Sequence, residues 1–159
     1  MIHHISIPAE NPHHVADVIA ELWNGRAFPF PLHPGSYIAF SPNNNQGICI
    51  EVYPMGTEML PGTENEEVQY RNSNAYSQFI ATHGAISVPI SQEEIEAIAS
   101  REGWRAVFCD RGPGCFQLVE FWVENHLLLE LLTPEMVPQY TAFMTPENWE
   151  QFLAAAAPV

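Results

Sequence analysis

The sequence predicts an α+β protein made of two copies of a β-α-β-β-β module. Three observations carry this. Histidine and glutamate recur at one spacing: His4 precedes Glu51 by 47 positions, and His83 precedes Glu130 by the same 47. Each of the four sits in a short strand-like run: His4-Ile5-Ser6-Ile7-Pro8, Ile48-Cys49-Ile50-Glu51-Val52-Tyr53, His83-Gly84-Ala85-Ile86-Ser87-Val88 and Leu127-Leu128-Leu129-Glu130-Leu131-Leu132. After the first run of each copy comes an amphipathic helical pattern with recognisable caps. The repeat distance is too long for a solenoid and suits a duplicated supersecondary unit.

Module one occupies residues 1–54. A strand is predicted near 2–8 and a helix near 12–23, with Asn11 as N-cap, Pro12 at the first helical position and Gly25 just past the end. Val15, Val18, Ile19 and Leu22 give that helix its apolar stripe. Strands near 26–31, 36–41 and 47–53 follow, separated by Pro31, by Pro34-Gly35 and by the run Asn43-Asn44-Asn45-Gln46-Gly47. Residues 55–79 lack clean periodicity and read as a linker. Module two, residues 80–133, repeats the plan: a strand near 81–88, then a helix at 91–102 opened by the capping-box pair Ser91 and Glu94. Strands near 104–109, 115–123 and 126–132 complete it, with a hairpin through Asp110-Arg111-Gly112-Pro113-Gly114 and Asn125 in the last turn. Residues 134–159 form a C-terminal tail with a short helix opening at Pro146. At 159 residues the chain is expected to form one domain.

Side chains at i and i+2 of a strand share a face. Cys49, Glu51 and Tyr53 therefore oppose Ile48, Ile50 and Val52, while His126, Leu128, Glu130 and Leu132 oppose Leu127, Leu129 and Leu131. His4 shares a face with Ser6, and His83 with Ala85 and Ser87. The aliphatic faces are expected to pack on the helices, leaving the histidines and glutamates on the open side of a curved sheet. One ambiguity concerns register. Aligning Ile5-Ser6-Ile7-Pro8 with Ile86-Ser87-Val88-Pro89 sets His4 against Ala85 rather than His83, a two-residue shift that keeps His4 on the same face.

Nineteen acidic residues face five arginines and no lysine, a formal charge of −14. Such a surface repels phosphate backbones and anionic lipids, which argues against nucleic-acid and membrane partners and for a neutral or cationic ligand or metal ions. No apolar run approaches the ~18 residues that span a bilayer, and the N-terminus opens directly into a strand pattern without a leader-like segment. Three cysteines without metal-type spacing point to a reducing, cytoplasmic setting.

A carboxylate between leucines, as Glu130 is, costs several kcal/mol to bury unpaired, about the effective penalty for an isolated buried ion. Either a cavity wets that face or the charge has a partner such as a metal. Two imidazoles and two carboxylates leave a six-coordinate ion roughly two open positions, and this donor mixture suits Zn, Ni, Co, Fe or Mn alike. Such an ion acts as a Lewis acid on two neighbouring substrate oxygens. Cys49 and Tyr53 beside Glu51, together with Tyr37, His126 and Trp122, are candidates for a substrate pocket. His3 points to the helix face, and His13-His14 reads as a solvated pair. No Ser-His-Asp order, phosphate loop or dinucleotide fingerprint is present.

His-His-Ile-Ser-Ile-Pro at 3–8, Ile-Glu-Val at 50–52, His-Gly-Ala-Ile-Ser-Val at 83–88 and Leu-Glu-Leu at 129–131 resemble the vicinal oxygen chelate superfamily, which includes glyoxalase I, extradiol dioxygenases and bleomycin-resistance proteins. The resemblance spans residues 2–132. It implies two modules pairing into an open, barrel-like curved sheet with the helices outside, and a divalent metal held by His4, Glu51, His83 and Glu130. The two-His, two-Glu set looks most like glyoxalase I, which implies a lyase or isomerase acting on a small molecule with adjacent oxygens, with Glu130 as metal-bound base and Glu51 opposite. A metal-free protein that sequesters a cationic drug, as bleomycin-resistance proteins do, is the alternative, and an Fe(II) extradiol-type dioxygenase ranks third. In-chain pairing of the modules within a homodimer is expected.

Overall fold

The structure, a computed structural model, describes residues 2–42, 47–61, 63, 66–112 and 115–156. The turn expected at 43–46 and the Pro113-Gly114 tip of the expected hairpin lie outside them. The described residues form ten strands and four helices, an α+β chain in two compact units, Met1–Ala81 and Thr82–Val159.

In the first unit, β1 (His4–Ala9), α1 (Pro12–Leu22), β2 (Arg26–Pro29), β3 (Tyr37–Phe40) and β4 (Cys49–Pro54) give the expected β-α-β-β-β order. The sheet runs β1-β4-β3-β2, with β1 and β4 parallel and the other pairs antiparallel. The Asn11 side chain accepts from the His14 N–H and caps α1, with Pro12 in the first turn. Val15, Val18, Ile19 and Leu22 are buried and the helix packs over β2, β3 and β4. Each such side chain contributes about 1.5–3 kcal/mol when fully removed from water. The end of α1 differs from expectation. The left-handed residue is Asn24 (φ 52°), and a Schellman pair forms, Asn24 N–H to Glu21 O at 2.9 Å and Gly25 N–H to Ala20 O at 2.7 Å. Gly25 is needed for another reason: a Cβ there would run into the carbonyl oxygen of Phe40 in β3.

Residues 55–79 contain more than a linker. β5 (Thr57–Leu60) and β6 (Gln69–Asn72) pair antiparallel, with Arg71 and Glu58 in an ion pair across them. Gly56 (φ 84°) turns the chain into this hairpin. Every residue of β6 is exposed and none of β5 is more than half-buried, so the pair leaves no alternating apolar signature to read.

The second unit repeats the module with β7 (Gly84–Ser87), α2 (Gln92–Glu102), β8 (Arg105–Asp110), β9 (Gln117–Val123) and β10 (Leu127–Leu132), in the order β7-β10-β9-β8 with β7 and β10 parallel. Both bonds of the Ser91–Glu94 capping box form. Gly103 (φ 69°) ends α2 in the left-handed conformation. Ile95, Ile98 and Ala99 of α2 are buried, as are Leu118, Val119, Phe121, Leu129 and Leu131 of the sheet. At the turn between β9 and β10, Glu124 and Asn125 both have positive φ (49° and 59°). The Asn125 carboxamide accepts from the Arg105 N–H (2.8 Å) and donates to the Gly103 carbonyl (3.1 Å), tying this turn to the α2–β8 junction. The tail carries two helices, α3 (Val137–Phe143) and α4 (Pro146–Ala156). The first was not expected, because Pro138 reads as a breaker. It falls in the first turn of α3, where a missing N–H has no intrahelical partner to lose.

Candidate functional site

In the first unit, strand register decides which side chains meet. β1 and β4 pair with Ser6 opposite Glu51 and His4 opposite Cys49, so His4 lies on the Glu51 face, one side-chain step along the neighbouring strand. Ser6 Oγ donates to Glu51 Oε2 at 2.9 Å, and the Tyr53 hydroxyl donates to the same oxygen at 3.2 Å. Glu51 is half-buried and both bonds come from neutral hydroxyls, which leave its negative charge uncompensated. His4 is exposed at the strand start.

Tyr53 is the hub of an aromatic cluster. It is 4% exposed, stacks on Tyr70 (5.9 Å between centroids, 14°) and meets His33 edge-on at 5.1 Å. His33 also lies 4.9 Å from Tyr70, and its Nδ1 is 3.0 Å from the hydroxyl of the buried Ser36. Tyr70 belongs to β6, so the hairpin in the expected linker delivers a ring to the neighbourhood of Glu51. Burial, the hydrogen bond with Tyr70 and the charge of Glu51 push the Tyr53 phenol above its ordinary value. Burial, reinforced by Glu51, likewise raises the Cys49 thiol, which stays protonated at neutral pH. Tyr37 pairs with Val52 and stacks on His13 of α1 (4.4 Å, 18°), which puts it on the face that α1 covers and away from the Glu51 face.

The second unit repeats the register. Ala85 lies opposite Glu130, as Ser6 lies opposite Glu51. Ser6 and Ala85 are thus equivalent, and so are His4 and His83; the alternative two-residue alignment does not apply. His83 is exposed and immediately precedes β7. The surroundings of Glu130 differ from those of Glu51. Glu120 of β9 lies directly opposite it, a like-charge arrangement that destabilises a sheet unless compensated. Arg111 supplies the compensation: its Nη2 donates to Glu130 Oε1 at 3.0 Å and to Glu120 Oε1 at 3.1 Å. Burial works to lower the guanidinium's value, but those two bonds together with the nearby Cys109 and Glu120 hold it above its ordinary value. Burial and Glu120 raise the Cys109 thiol. Trp122 lies opposite Leu128, hence on the Glu130 face, and its buried Nε1 has no hydrogen-bond partner among the described residues. His126 is half-buried in the β9–β10 turn.

Each unit therefore brings one predicted histidine and one predicted glutamate to a single sheet face. Within neither unit do three or more His, Cys, Asp or Glu side chains form a metal-holding group among the described residues. A histidine and a carboxylate in each half are donor types that a divalent ion takes. Each carboxylate is fixed through one oxygen, Oε2 of Glu51 and Oε1 of Glu130, as ligating carboxylates commonly are by outer partners. Arg111 works against the fit at Glu130, since it already brings a positive charge there. Sequence reasoning missed Arg111, Glu120 and Tyr70. The alternation along β9 sets Glu120 on the same face as Trp122, but only the pairing register puts it opposite Glu130. A separate cavity of about 480 Å³ lies in the second unit between Cys115, Gln139, Phe143, Asn148 and Phe152, and none of the predicted site residues lines it. No described helix is long and apolar enough to cross a membrane.

No protein-family model matches the sequence, and neither does any curated protein. Solved structures do match. The fosfomycin resistance protein FosX from Listeria monocytogenes, complexed with Mn(II) and sulfate, aligns over 96% of this chain and 97% of its own, with a TM-score of 0.56 at 12% identity. The hexagonal form of the same protein aligns over 84% and 92% with a TM-score of 0.54 at 11% identity. A glyoxalase family protein from Bacillus anthracis aligns over 82% and 92% with a TM-score of 0.52 at 12% identity. At such identities the likeness is one of fold, and it agrees with the β-α-β-β-β order and the parallel β1–β4 and β7–β10 pairs. The chain has the fold of the vicinal oxygen chelate superfamily.

Proposed function

We propose that this protein is a divalent-metal-dependent lyase or isomerase of the glyoxalase-like type, acting on a small molecule with adjacent oxygens, and that His4, Glu51, His83 and Glu130 hold the metal. One observation carries the reading: both units set a part-buried glutamate at the same register position, fixed through one oxygen, with a histidine one step along the neighbouring parallel strand. A FosX protein of the same fold has been obtained with Mn(II), which supports a divalent ion. When bound, the metal supplies Lewis acidity to two neighbouring substrate oxygens. The residues supply the rest. Ser6 and Tyr53 hold Glu51 in one orientation, and Arg111 holds Glu130. Glu130 is the proposed proton acceptor, taking a proton from the carbon beside those oxygens, and Glu51 is the proposed second carboxylate of the site. Trp122, on the Glu130 face with a buried N–H that has no partner among the described residues, is the proposed donor to a substrate oxygen.

One observation favours a second reading, metal-free sequestration of a cationic small molecule: the net charge of −14 together with the His33, Tyr53 and Tyr70 rings beside Glu51. Metal analysis of protein purified without chelator separates the two. About one equivalent of transition metal per chain, lost in a Glu51→Ala, Glu130→Ala double variant, is the expected result. Metal-free protein that cannot be loaded with Mn(II), Zn(II) or Ni(II) rules out the enzyme reading and leaves sequestration.

A further inference from the structure

We propose that the cavity of about 480 Å³ in the tail of the second unit binds an uncharged, planar small molecule through an amide-type edge, an N–H beside a carbonyl. The site is independent of the metal reading and shares no residue with it. Two helices outside the duplicated module build it on one pattern. Along α3, Gln139, Ala142 and Phe143 fall at i, i+3 and i+4; along α4, Asn148, Gln151 and Phe152 do the same. That spacing gathers three side chains on one helical face, so each helix lends the cavity a carboxamide and a phenyl ring. Phe143 and Phe152 meet edge-on at 5.8 Å between centroids, and Phe143 also rests against Phe116 at 5.6 Å. Cys115 completes the wall.

The polar lining is oriented by its partners. Gln139 Oε1 accepts from the Gln117 backbone N–H at 3.2 Å, so its NH2 is the end left over. Asn148 is held the opposite way: its NH2 donates to the Ala142 carbonyl in the last turn of α3, and its backbone N–H donates to Thr145 Oγ1 at 3.2 Å. Its Oδ1 is the end left over. These bonds fix which end of each amide is which, because a backbone N–H needs an oxygen and a carbonyl needs an N–H. Gln151, exposed on α4, has neither end engaged among the described residues. A donor on one helix and an acceptor on the other complement a lactam or imide edge. Charge selects further. The chain has nineteen acidic residues, yet neither an acidic nor a basic side chain is among the described residues of the lining. An ionic ligand would be desolvated there without a counter-charge, whereas a flat neutral ring packs well against phenyl groups. The volume lies within the range of small-molecule pockets, about 300–1,000 Å³.

The test treats native full-length protein with iodoacetamide and follows alkylation of Cys115 by peptide mass spectrometry, with uracil or hydantoin added. Cys109, equally half-buried but not part of the lining, is the internal control. Saturable protection of Cys115 but not of Cys109 is expected, together with shifts of the Gln139, Asn148 and Gln151 side-chain NH2 resonances in NMR spectra. N,N′-dimethyluracil keeps the ring and both carbonyls but has no N–H. It is expected to protect about fivefold more weakly, the worth of one hydrogen bond. Q151A, at an exposed helical position where alanine is well tolerated, is expected to weaken protection by uracil by a similar factor. Equal protection by uracil and its dimethyl derivative, or stronger protection by tetramethylammonium or benzoate, overturns the ligand class. Failure of both uracil and hydantoin to protect Cys115 or to move the three resonances overturns the site itself, as does slowing of Cys109 in parallel with Cys115. None of these outcomes bears on metal content, so this site and the metal reading stand or fall separately.

Discussion

Replacing Tyr53 by phenylalanine tests how the Glu51 half-site is built. The change removes a single oxygen and conserves ring volume, so the stacking on Tyr70 and the edge contact with His33 persist. What is lost is one of two hydroxyl donors to Glu51 Oε2. A hydrogen bond to a charged group contributes about 1.5–3 kcal/mol net. At 3.2 Å this one is long, while Ser6 at 2.9 Å continues to serve the same oxygen. The expected loss of folding stability is therefore at the lower end, about 1.5 kcal/mol for metal-free protein in a urea titration. Metal affinity should fall by about tenfold, as it does when an outer partner of a ligating carboxylate is deleted. Ser6→Ala should act similarly. The double variant should lose more than the two single losses combined, because the first deletion leaves the other donor in place and the second strips the oxygen bare. Wild-type metal affinity in Tyr53→Phe would refute the reasoning, since it would mean that the orientation of Glu51 does not matter to the ion.

Two other perturbations follow from the same geometry. Gly25→Ala sets a methyl group against the backbone carbonyl of Phe40 in β3, just before the edge strand β2. An overpacking cost of about 2–3 kcal/mol should appear as a lower denaturation midpoint, and a loss under about 0.5 kcal/mol would contradict the close approach. High pH should be felt through Tyr53. Its folded value lies above the ordinary 10.0, so the folded state keeps the phenol protonated while the unfolded chain releases it. This contribution is full below pH 10 and is lost as pH rises from there towards the folded value, with a slope of about 1.4 kcal/mol per pH unit for one proton. Unfolding midpoints between pH 9 and 11 should fall more steeply in wild type than in Tyr53→Phe, and parallel curves would count against the buried phenol.

Much of this architecture was legible because it rests on local physics. Asn11-Pro12 and the Ser91–Glu94 box are self-contained cap signals, and they start α1 and α2 where expected. Period-two alternation put Glu51 and Glu130 opposite aliphatic faces, and Ile50, Val52, Leu129 and Leu131 are buried accordingly. Features that depend on partners distant in sequence were not legible. The hairpin at 57–72 has no fully buried residue to impose a pattern, α3 hides its start behind a proline, and the role of Gly25 depends on where Phe40 passes. At the candidate site, alternation identifies the face but not the neighbour. Ser6 against Glu51, Glu120 against Glu130 and the reach of Arg111 follow from register and loop path, which single-strand patterns do not encode.

The duplicated register has an evolutionary consequence. When a module is copied, its two key carboxylates begin as chemical twins, and a symmetric pair cannot divide labour. Here the backbone has kept the symmetry while the adjoining side chains have abandoned it: serine and tyrosine hydroxyls on one copy, a guanidinium and a second carboxylate on the other. Distinct roles can then be selected by changing residues such as Ser6, Tyr53, Arg111 or Glu120, without moving a strand and without touching the glutamates themselves. A scaffold of this kind can exchange one reaction for another through its neighbours' identities, which is one physical reason a single fold hosts unlike chemistries.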